Sequence, residues 1–168
     1  MTQARPIDVL ILMGSDSDLG TMKAACEVLD RLQVRWEMTV ASAHRSPGRV
    51  QRLVDEAPGR GVKVFIAGAG AAAHLAGMIA AHTTRPVIGV PIDSSPLSGF
   101  DALLSTVQMP PGVPVATVSV GRSGATNAAV LAAQILALGD SELDRRLSEY
   151  KKSLAEKVEQ AAARLDAS

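Results

Sequence analysis

The hydrophobic pattern of this chain switches repeatedly between short apolar runs and residues spaced three or four apart. The short runs predict five strands, at residues 7–13, 34–40, 62–67, 86–90 and 115–120. The longer segments predict six helices, at residues 18–32, 47–57, 74–82, 100–107, 124–138 and 141–165. Strands that alternate with helices favour a parallel sheet covered on both faces.

Right-handed crossovers would make this a three-layer α/β fold, a doubly wound, flavodoxin-like parallel sheet of about five strands with a long C-terminal helix. No repeat, low-complexity segment or linker divides the chain, so residues 1–168 are predicted to form a single domain. Ligands of such sheets bind outside the carboxyl ends of the strands. The loops to search for a site are therefore 14–18, 41–47, 68–74, 91–99 and 121–124.

Composition narrows the function classes. Aromatic residues make up only 2% of the chain, which leaves little to stack a flat cofactor, and the 17 basic and 17 acidic residues cancel. A neutral chain gives no reason to expect nucleic acid or a membrane surface as partner. No apolar stretch reaches the roughly 20 residues that span a bilayer. Residues 1–6 lack the hydrophobic segment of a signal peptide, so we expect a cytoplasmic protein.

The strongest candidate chemistry is the pair His44 and Arg45, in a run from Ser42 to Pro47 where a strand ends and a helix begins. An imidazole can move protons near neutral pH. A guanidinium can bind a phosphate or carboxylate through two parallel hydrogen bonds. The alternative is that His44 and Arg45 are a basic pair in a solvated turn. The functional interpretation is favoured because other predicted strand ends also carry candidate ligand-binding residues.

The first loop, residues 14–18, opens the first predicted helix and offers free N–H groups and serine hydroxyls to an anion. A carboxylate binds sugar hydroxyls better than phosphate, so Asp18 suits a ribose. The alternative is that Ser17 or Asp18 only caps the helix.

The third loop, residues 68–75, is rich in glycine and alanine, which would let a ligand lie against the backbone. It matches the dinucleotide fingerprint G-x-G-x-x-A, with Asp93 about twenty residues further on. That fingerprint normally follows the first strand of its unit, and two complete strand–helix units precede this one, so the match is weak. His74 begins the next helix, where either packing or a ligand-facing role is possible.

The sequence lacks the motifs that ATP binding and metal binding require. No phosphate-binding loop of the form G-x-x-x-x-G-K-[ST] is present, so ATP use has no support. His44, His74 and His82 have no metal-ligand spacing with one another or with Cys26, the single cysteine. Cys26 and His82 are interpreted as structural. We therefore expect no metal and no cofactor.

Five motifs along the chain resemble one family. They are GSDSD (14–18), SAHRSP (42–47), AGAGAAAHLAGMIAAHT (67–83), PVIGVP (86–91) and STVQMP (105–110). The order and the strand-end positions are similar to those of the class I N5-carboxyaminoimidazole ribonucleotide mutases of bacterial purine biosynthesis. Ala71 and Ala76 depart from the usual Gly and Pro. Leu19 resembles class II relatives, which carboxylate aminoimidazole ribonucleotide directly with CO2, but Arg45 and the alanine run point to class I.

The resemblance implies a single catalytic domain that moves a carboxylate from the exocyclic nitrogen to carbon 4 of the imidazole. His44 would give and take the proton, with no metal or cofactor. The other residues implied to bind the ribonucleotide are Ser15 and Arg45 at its phosphate, Asp18 at its ribose, and Ser42, Ala43, Gly70, Ala71, His74 and Leu75 around the remainder. Two alternatives stay open: a direct CO2-dependent carboxylase, and a non-catalytic nucleotide- or dinucleotide-binding domain.

The last two helices predict a homo-oligomer. Residues 125–138 are apolar almost all round, which calls for a sheet on one side and another subunit on the other. The helix at 141–165 carries an apolar stripe about 36 Å long, more than a small domain covers, so residues 140–168 are expected to pack on another subunit. The resemblance implies an octamer.

Overall fold

A computed structural model describes residues 6–166 of the protein. The expectation about a signal peptide falls almost wholly on residues 1–5, which lie outside the described residues. Within residues 6–166, no helix combines the length and the apolar character needed to cross a membrane.

The described residues form five strands and six α-helices, joined by short turns. The strands are β1 (Val9–Met13), β2 (Trp36–Val40), β3 (Val64–Gly70), β4 (Val87–Ile92) and β5 (Ala116–Thr117). The helices are α1 (Leu19–Arg31), α2 (Pro47–Glu56), α3 (Leu75–Ala81), α4 (Phe100–Val107), α5 (Gly121–Ala137) and α6 (Ser141–Asp166).

The strands form one parallel sheet in the order β2-β1-β3-β4-β5, which confirms the predicted doubly wound fold. The direction of winding reverses between β1 and β3, the point at which ligands of such sheets bind. Met13 pairs with both Val40 and Gly68, so β1 and its two neighbours end close together. The three loops that follow them emerge side by side.

Alternate residues of β1 fill two cores, one on each face of the sheet. Val9 and Ile11 pack in the layer that contains α1 and α5, whereas Leu10 and Leu12 pack in the layer that contains α2 and α3. All four are fully buried, as the apolar run of a central parallel strand predicts. This rigid centre fixes the positions from which the site loops start.

β3 extends through the glycines that the sequence pattern assigned to a loop. Gly68 pairs with Val90 and Gly70 with Ile92, so both glycines are strand residues in the middle of the sheet. A Cβ at Gly68 would lie 2.4 Å from Sδ of Met22, so the packing of α1 on the sheet requires a glycine there. The two glycines of the apparent dinucleotide fingerprint therefore do not form a strand-to-helix turn.

The C-terminal part of the sheet also differs from the sequence pattern. β5 is only two residues long and pairs with β4 alone, through Ala116 and Thr117. α5 begins at Gly121 rather than at residue 124, and the positive φ of 75° at Gly121 lets the chain turn into the helix.

α6 covers part of the outward side of α5, where a neighbouring subunit was expected. Leu143 at its start is buried, and the guanidinium of Arg31 stacks 4.8 Å from the ring centre of Tyr150. Beyond that point the predicted apolar stripe is open: Val158 is 66% exposed and Leu165 is 76% exposed. Among the described residues, the burial of α6 against this chain is therefore concentrated in its first half.

Candidate active site

A cleft of about 250 Å³ lies at the carboxyl ends of the strands, at the predicted switch point. It is formed by the loops after β1, β2 and β3, with one residue from the loop after β4. Every predicted site residue except Ala71 lines it. The lining residues are Gly14, Ser15, Ser17, Asp18, Ser42, Ala43, His44, Arg45, Ala69, Gly70, Ala72, His74, Leu75 and Ser94.

The first loop forms a single tight turn of 3₁₀ helix between β1 and α1. The Ser15 N–H donates to Oδ2 of Asp18 (3.1 Å), and the Ser17 N–H donates to Oγ of Ser15 (3.3 Å). This reciprocal capping box places Ser15 at the cap position. Asp18 directly precedes α1 but makes no side-chain cap for it. Asp18 thus takes part in capping the 3₁₀ turn and does not cap α1 through its side chain.

Asp18 is a nearly buried carboxyl inside an otherwise open cleft. Burial raises its pKa above the ordinary value, while the hydrogen bond from Ser15 and the nearby charge of Arg45 oppose that rise. Oδ2 accepts the Ser15 N–H, and the neighbouring carboxylate of Asp16 adds to the rise in the pKa of Asp18. In the part of the chain that the structure describes, no group of three or more potential metal ligands occurs.

The second loop is a compact turn closed by its two serines. The Arg45 N–H donates to Oγ of Ser42 (3.1 Å), the Ser42 N–H donates to Oγ of Ser46 (3.1 Å), and the Ser46 N–H donates to the Ser42 carbonyl (2.9 Å). With the serines turned inward, His44 and Arg45 project from the turn and are exposed. Nη2 of Arg45 reaches the Gly14 carbonyl at 3.4 Å, at the far side of the cleft.

The two histidines of the cleft contact each other. Nε2 of His44 lies 2.7 Å from Nδ1 of His74, and the rings stand nearly perpendicular at 87°. His74 makes no side-chain cap for α3 and is exposed. The sequence had left its role open, and nothing in the spacing of two histidines thirty residues apart predicts this contact.

Ser94 is a cleft residue that the sequence analysis did not nominate. Its Oγ lies where a side chain at Gly70 would have to be, since a Cβ built there would be 1.8 Å from it. Gly70 is therefore needed for the approach of Ser94 and not only for the approach of a ligand. The sequence does indicate the loop at residues 91–99 as a place to search, because it follows the fourth predicted strand, but it does not single out Ser94.

Ala71 has a left-handed backbone with a φ of 51°. Residues with a Cβ rarely adopt this conformation, which glycine adopts freely. The methyl group is exposed and lies outside the lining of the cleft. Its backbone conformation, rather than a side-chain contact, is what distinguishes this position.

Two other side chains are structural, as interpreted from the sequence. The Cys26 thiol is buried and its burial raises the pKa to about 11, so it stays protonated at neutral pH. His82 makes a 2.8 Å hydrogen bond through Nδ1 to the Met78 carbonyl, outside the cleft. The reactive groups of the cleft are thus the guanidinium of Arg45, the buried carboxyl of Asp18 and the imidazoles of His44 and His74. These groups suit an anionic, sugar-containing ligand and proton transfer.

Comparison with known proteins assigns this arrangement to a class. The family model described as AIR carboxylase matches residues 8–157, and the chain belongs to that family. It is 54% identical to the N5-carboxyaminoimidazole ribonucleotide mutase of Bacillus subtilis over 155 residues, which cover 92% of this chain and 96% of that protein. It is 51% identical to the enzyme of the same name from Escherichia coli K12, over 91% of this chain and 90% of that one.

A solved structure gives the same result for the fold. The crystal structure of Treponema denticola PurE superposes with a TM-score of 0.84 at 30% identity, covering 96% of this chain and 99% of that one. The resemblance predicted from the sequence motifs is confirmed, and with it an enzyme of the mutase type.

Proposed function

We propose that this chain converts N5-carboxyaminoimidazole ribonucleotide into 4-carboxyaminoimidazole ribonucleotide in de novo synthesis of IMP. The observation that carries the proposal is one cleft lined by an imidazole pair, by the guanidinium of Arg45 and by the buried carboxyl of Asp18. An anion, a sugar and a site of proton transfer are the three things this substrate presents. The identity of 54% and 51% to two named mutases, over 92% and 91% of the chain, supports the same reaction.

Substrate binding would use the polar edges of the cleft. Arg45 and Ser15 would hold the phosphate, because a guanidinium forms charge-assisted hydrogen bonds with phosphate oxygens. Asp18 would accept hydrogen bonds from the ribose hydroxyls. The wall around the imidazole and its carboxylate would come from Ser42, Ala43, Gly70, Ala71, His74 and Leu75.

His44 would carry both proton transfers. It donates a proton to the exocyclic nitrogen, the bond from that nitrogen to the carboxyl carbon breaks with its electron pair going to nitrogen, and CO2 is released. Ring carbon 4 then attacks the carbon of CO2 and forms the new bond. The now neutral His44 removes the hydrogen from carbon 4, which restores the aromatic ring and returns the proton to His44.

His44 regains at the last step the proton that it gives at the first, and the carboxylate comes from the substrate itself. The proposed reaction therefore uses no ATP, metal or cofactor. A positioned acid–base group contributes on the order of 10²- to 10⁴-fold in rate. Holding the released CO2 next to carbon 4, away from bulk water, supplies a further gain through proximity.

We also propose that the working form is a cytoplasmic homo-oligomer, an octamer by analogy with the family, without nucleic acid or membrane partners. The open apolar stripe of α6 supports a protein neighbour, since Leu154 and Val158 are exposed in the single chain. Leu138, at the end of α5, is 89% exposed and adds to the same surface. The net charge of zero agrees with the absence of a polyanionic partner.

The test is to supply each ribonucleotide separately and follow product absorbance, with chelator present and ATP absent. We expect conversion of N5-carboxyaminoimidazole ribonucleotide without added bicarbonate. The same mixture without protein corrects for spontaneous loss of CO2 from the carbamate. Conversion of aminoimidazole ribonucleotide with CO2 alone would identify the direct carboxylase instead. Binding without conversion of either would identify a non-catalytic domain.

A further inference from the structure

The contact between His44 and His74 constrains how many protons the two rings can hold. Their facing nitrogens are 2.7 Å apart, the distance of a hydrogen bond in which one N–H donates and the other nitrogen accepts. If both rings were protonated, two N–H groups would face each other and the bond would be lost. While the contact persists, the pair is either neutral or carries a single extra proton.

The charged surroundings do not change that limit. The other ionisable side chains that line the cleft are Arg45, from the loop that carries His44, and Asp18, from the first loop. α3, which follows His74, contributes only the apolar Leu75 to the lining. Arg45 disfavours a second positive charge nearby, and Asp18 does not contact either ring through any described hydrogen bond.

We propose that His74 is a positioning residue that acts through His44, so that the two imidazoles form one acid–base unit holding a single exchangeable proton. This inference rests on the proposed function, in which His44 must be protonated at the first step and neutral at the last. When His44 carries the proton, its Nε2–H donates to Nδ1 of His74 in a charge-assisted hydrogen bond. When His44 has given its proton away, the same bond fixes the orientation of its ring.

The sign of the effect on pH dependence follows from that bond. An acceptor for the protonated form favours that form. The wild-type pair therefore keeps its working proton to a higher pH than an isolated His44 would. Removing the acceptor should move the alkaline limb of the kcat profile to lower pH, by about one pH unit for a bond of the usual charge-assisted strength.

Two variants of His74 separate acceptance of the hydrogen bond from mere occupancy of the site. In His74→Asn, Oδ1 can take the place of Nδ1 as acceptor, whereas His74→Leu has no acceptor. We expect His74→Asn to keep the wild-type alkaline limb. We expect His74→Leu to shift the alkaline limb to lower pH. We also expect it to lower kcat by roughly 10- to 100-fold, the loss found when a hydrogen-bond partner that orients a metal-ligating histidine is removed. His82→Asn, outside the cleft, serves as the matched control and should match wild type.

Two kinetic results would overturn the proposal. If His74→Leu raises KM while kcat and the pH profile stay as in wild type, His74 serves only as part of the wall around the substrate and does not act through His44. If Asn and Leu shift the profile equally, acceptance of a hydrogen bond is not what matters.

A substrate-free measurement separates this proposal from the proposed function. In protein labelled with ¹⁵N-histidine, the His44 and His74 signals should change together as the pair takes up one proton in total. In His74→Leu, His44 should take up its proton at lower pH than the wild-type pair. Independent uptake of one proton by each ring in the wild type would contradict the inference, even if mutase activity is present. The joint titration without any mutase activity would leave the pair intact and reject only the reaction.

Discussion

The Asp18 carboxylate accepts a hydrogen bond from the Ser15 backbone N–H, with 3.1 Å between the two atoms, although only 4% of Asp18 is exposed. Burial removes water from this carboxyl, and the hydrogen bonds from Ser15 and Ser17 do not fully replace that water, so the pKa of Asp18 is raised. At neutral pH the charge of Asp18 therefore lowers the stability of the fold. A ribose in the cleft would supply the missing hydrogen-bond donors.

Asp18→Asn should consequently raise the free energy of unfolding at pH 7 while weakening substrate binding. The amide oxygen can accept the same hydrogen bond, and the buried charge is gone, so we expect a gain of about 0.5–2 kcal/mol. The folded state of the wild type binds this proton more tightly than the unfolded chain does. Its penalty therefore shrinks as pH falls below the folded pKa and vanishes below about pH 3.9.

Denaturant unfolding of both proteins across this pH range measures the difference. Asp16→Asn, in the same turn but exposed, is the control and should change stability little at any pH. Equal stability of Asp18→Asn and wild type at pH 7 and at pH 4 would contradict the account of Asp18.

Ala71→Gly should stabilise the protein. A left-handed conformation costs a residue with a Cβ about 1–2 kcal/mol, and φ at Ala71 is 51°. Glycine removes that cost, but the added entropy of the unfolded chain offsets about 0.4–1 kcal/mol of it, so the net gain lies between about 0 and 1.6 kcal/mol. Ala72→Gly, one residue on and without positive φ, should instead destabilise. Thermal unfolding of the two variants in parallel makes the comparison, and a loss of stability in both would contradict it.

Arg45→Met should weaken substrate binding by about 10- to 100-fold, because it removes a charge-assisted contact worth roughly 1.5–3 kcal/mol. We expect KM to change much more than kcat. Arg52→Met on α2, exposed and outside the lining of the cleft, is the matched control. A substrate-bound structure with the phosphate far from both Arg45 and the first loop would show the assignment to be wrong.

The open half of α6 should hold the oligomer together. Leu154→Glu combined with Val158→Glu places charges on the exposed apolar stripe, and Lys157→Glu changes charge beside it. Light scattering should give smaller species for the double variant and the wild-type size for the control. Truncation after Gly139 should also give smaller species, prone to aggregation and poorly active. A fully active monomer, intact or truncated, would contradict the proposed assembly.

The sequence predicted the sheet and its loops because each depends on local pattern. The apolar run of β1 and the helical spacing of α1 are visible in a short window of residues. The extension of β3 through Gly70 was not visible, because glycine is a loop signal unless tertiary packing requires it. Here the packing of Met22 and Ser94 against the strand requires it, and both contacts come from distant parts of the chain.

The candidate site likewise has residues that the sequence predicts and residues that it does not. His44, Arg45 and Asp18 are predictable because each stands at a strand end in a recognisable motif. The bond between His44 and His74 and the presence of Ser94 depend on which strands are neighbours and on where they end. Only the order β2-β1-β3-β4 brings those loops together, and the spacing of residues along one chain does not specify that order.

The most direct test of the central claim measures turnover and substrate binding for His44→Asn. We expect that turnover is abolished while ribonucleotide affinity stays within about tenfold of wild type, because Arg45, Ser15 and Asp18 would still contact phosphate and ribose. Turnover within tenfold of wild type would contradict the assignment of both proton transfers to His44.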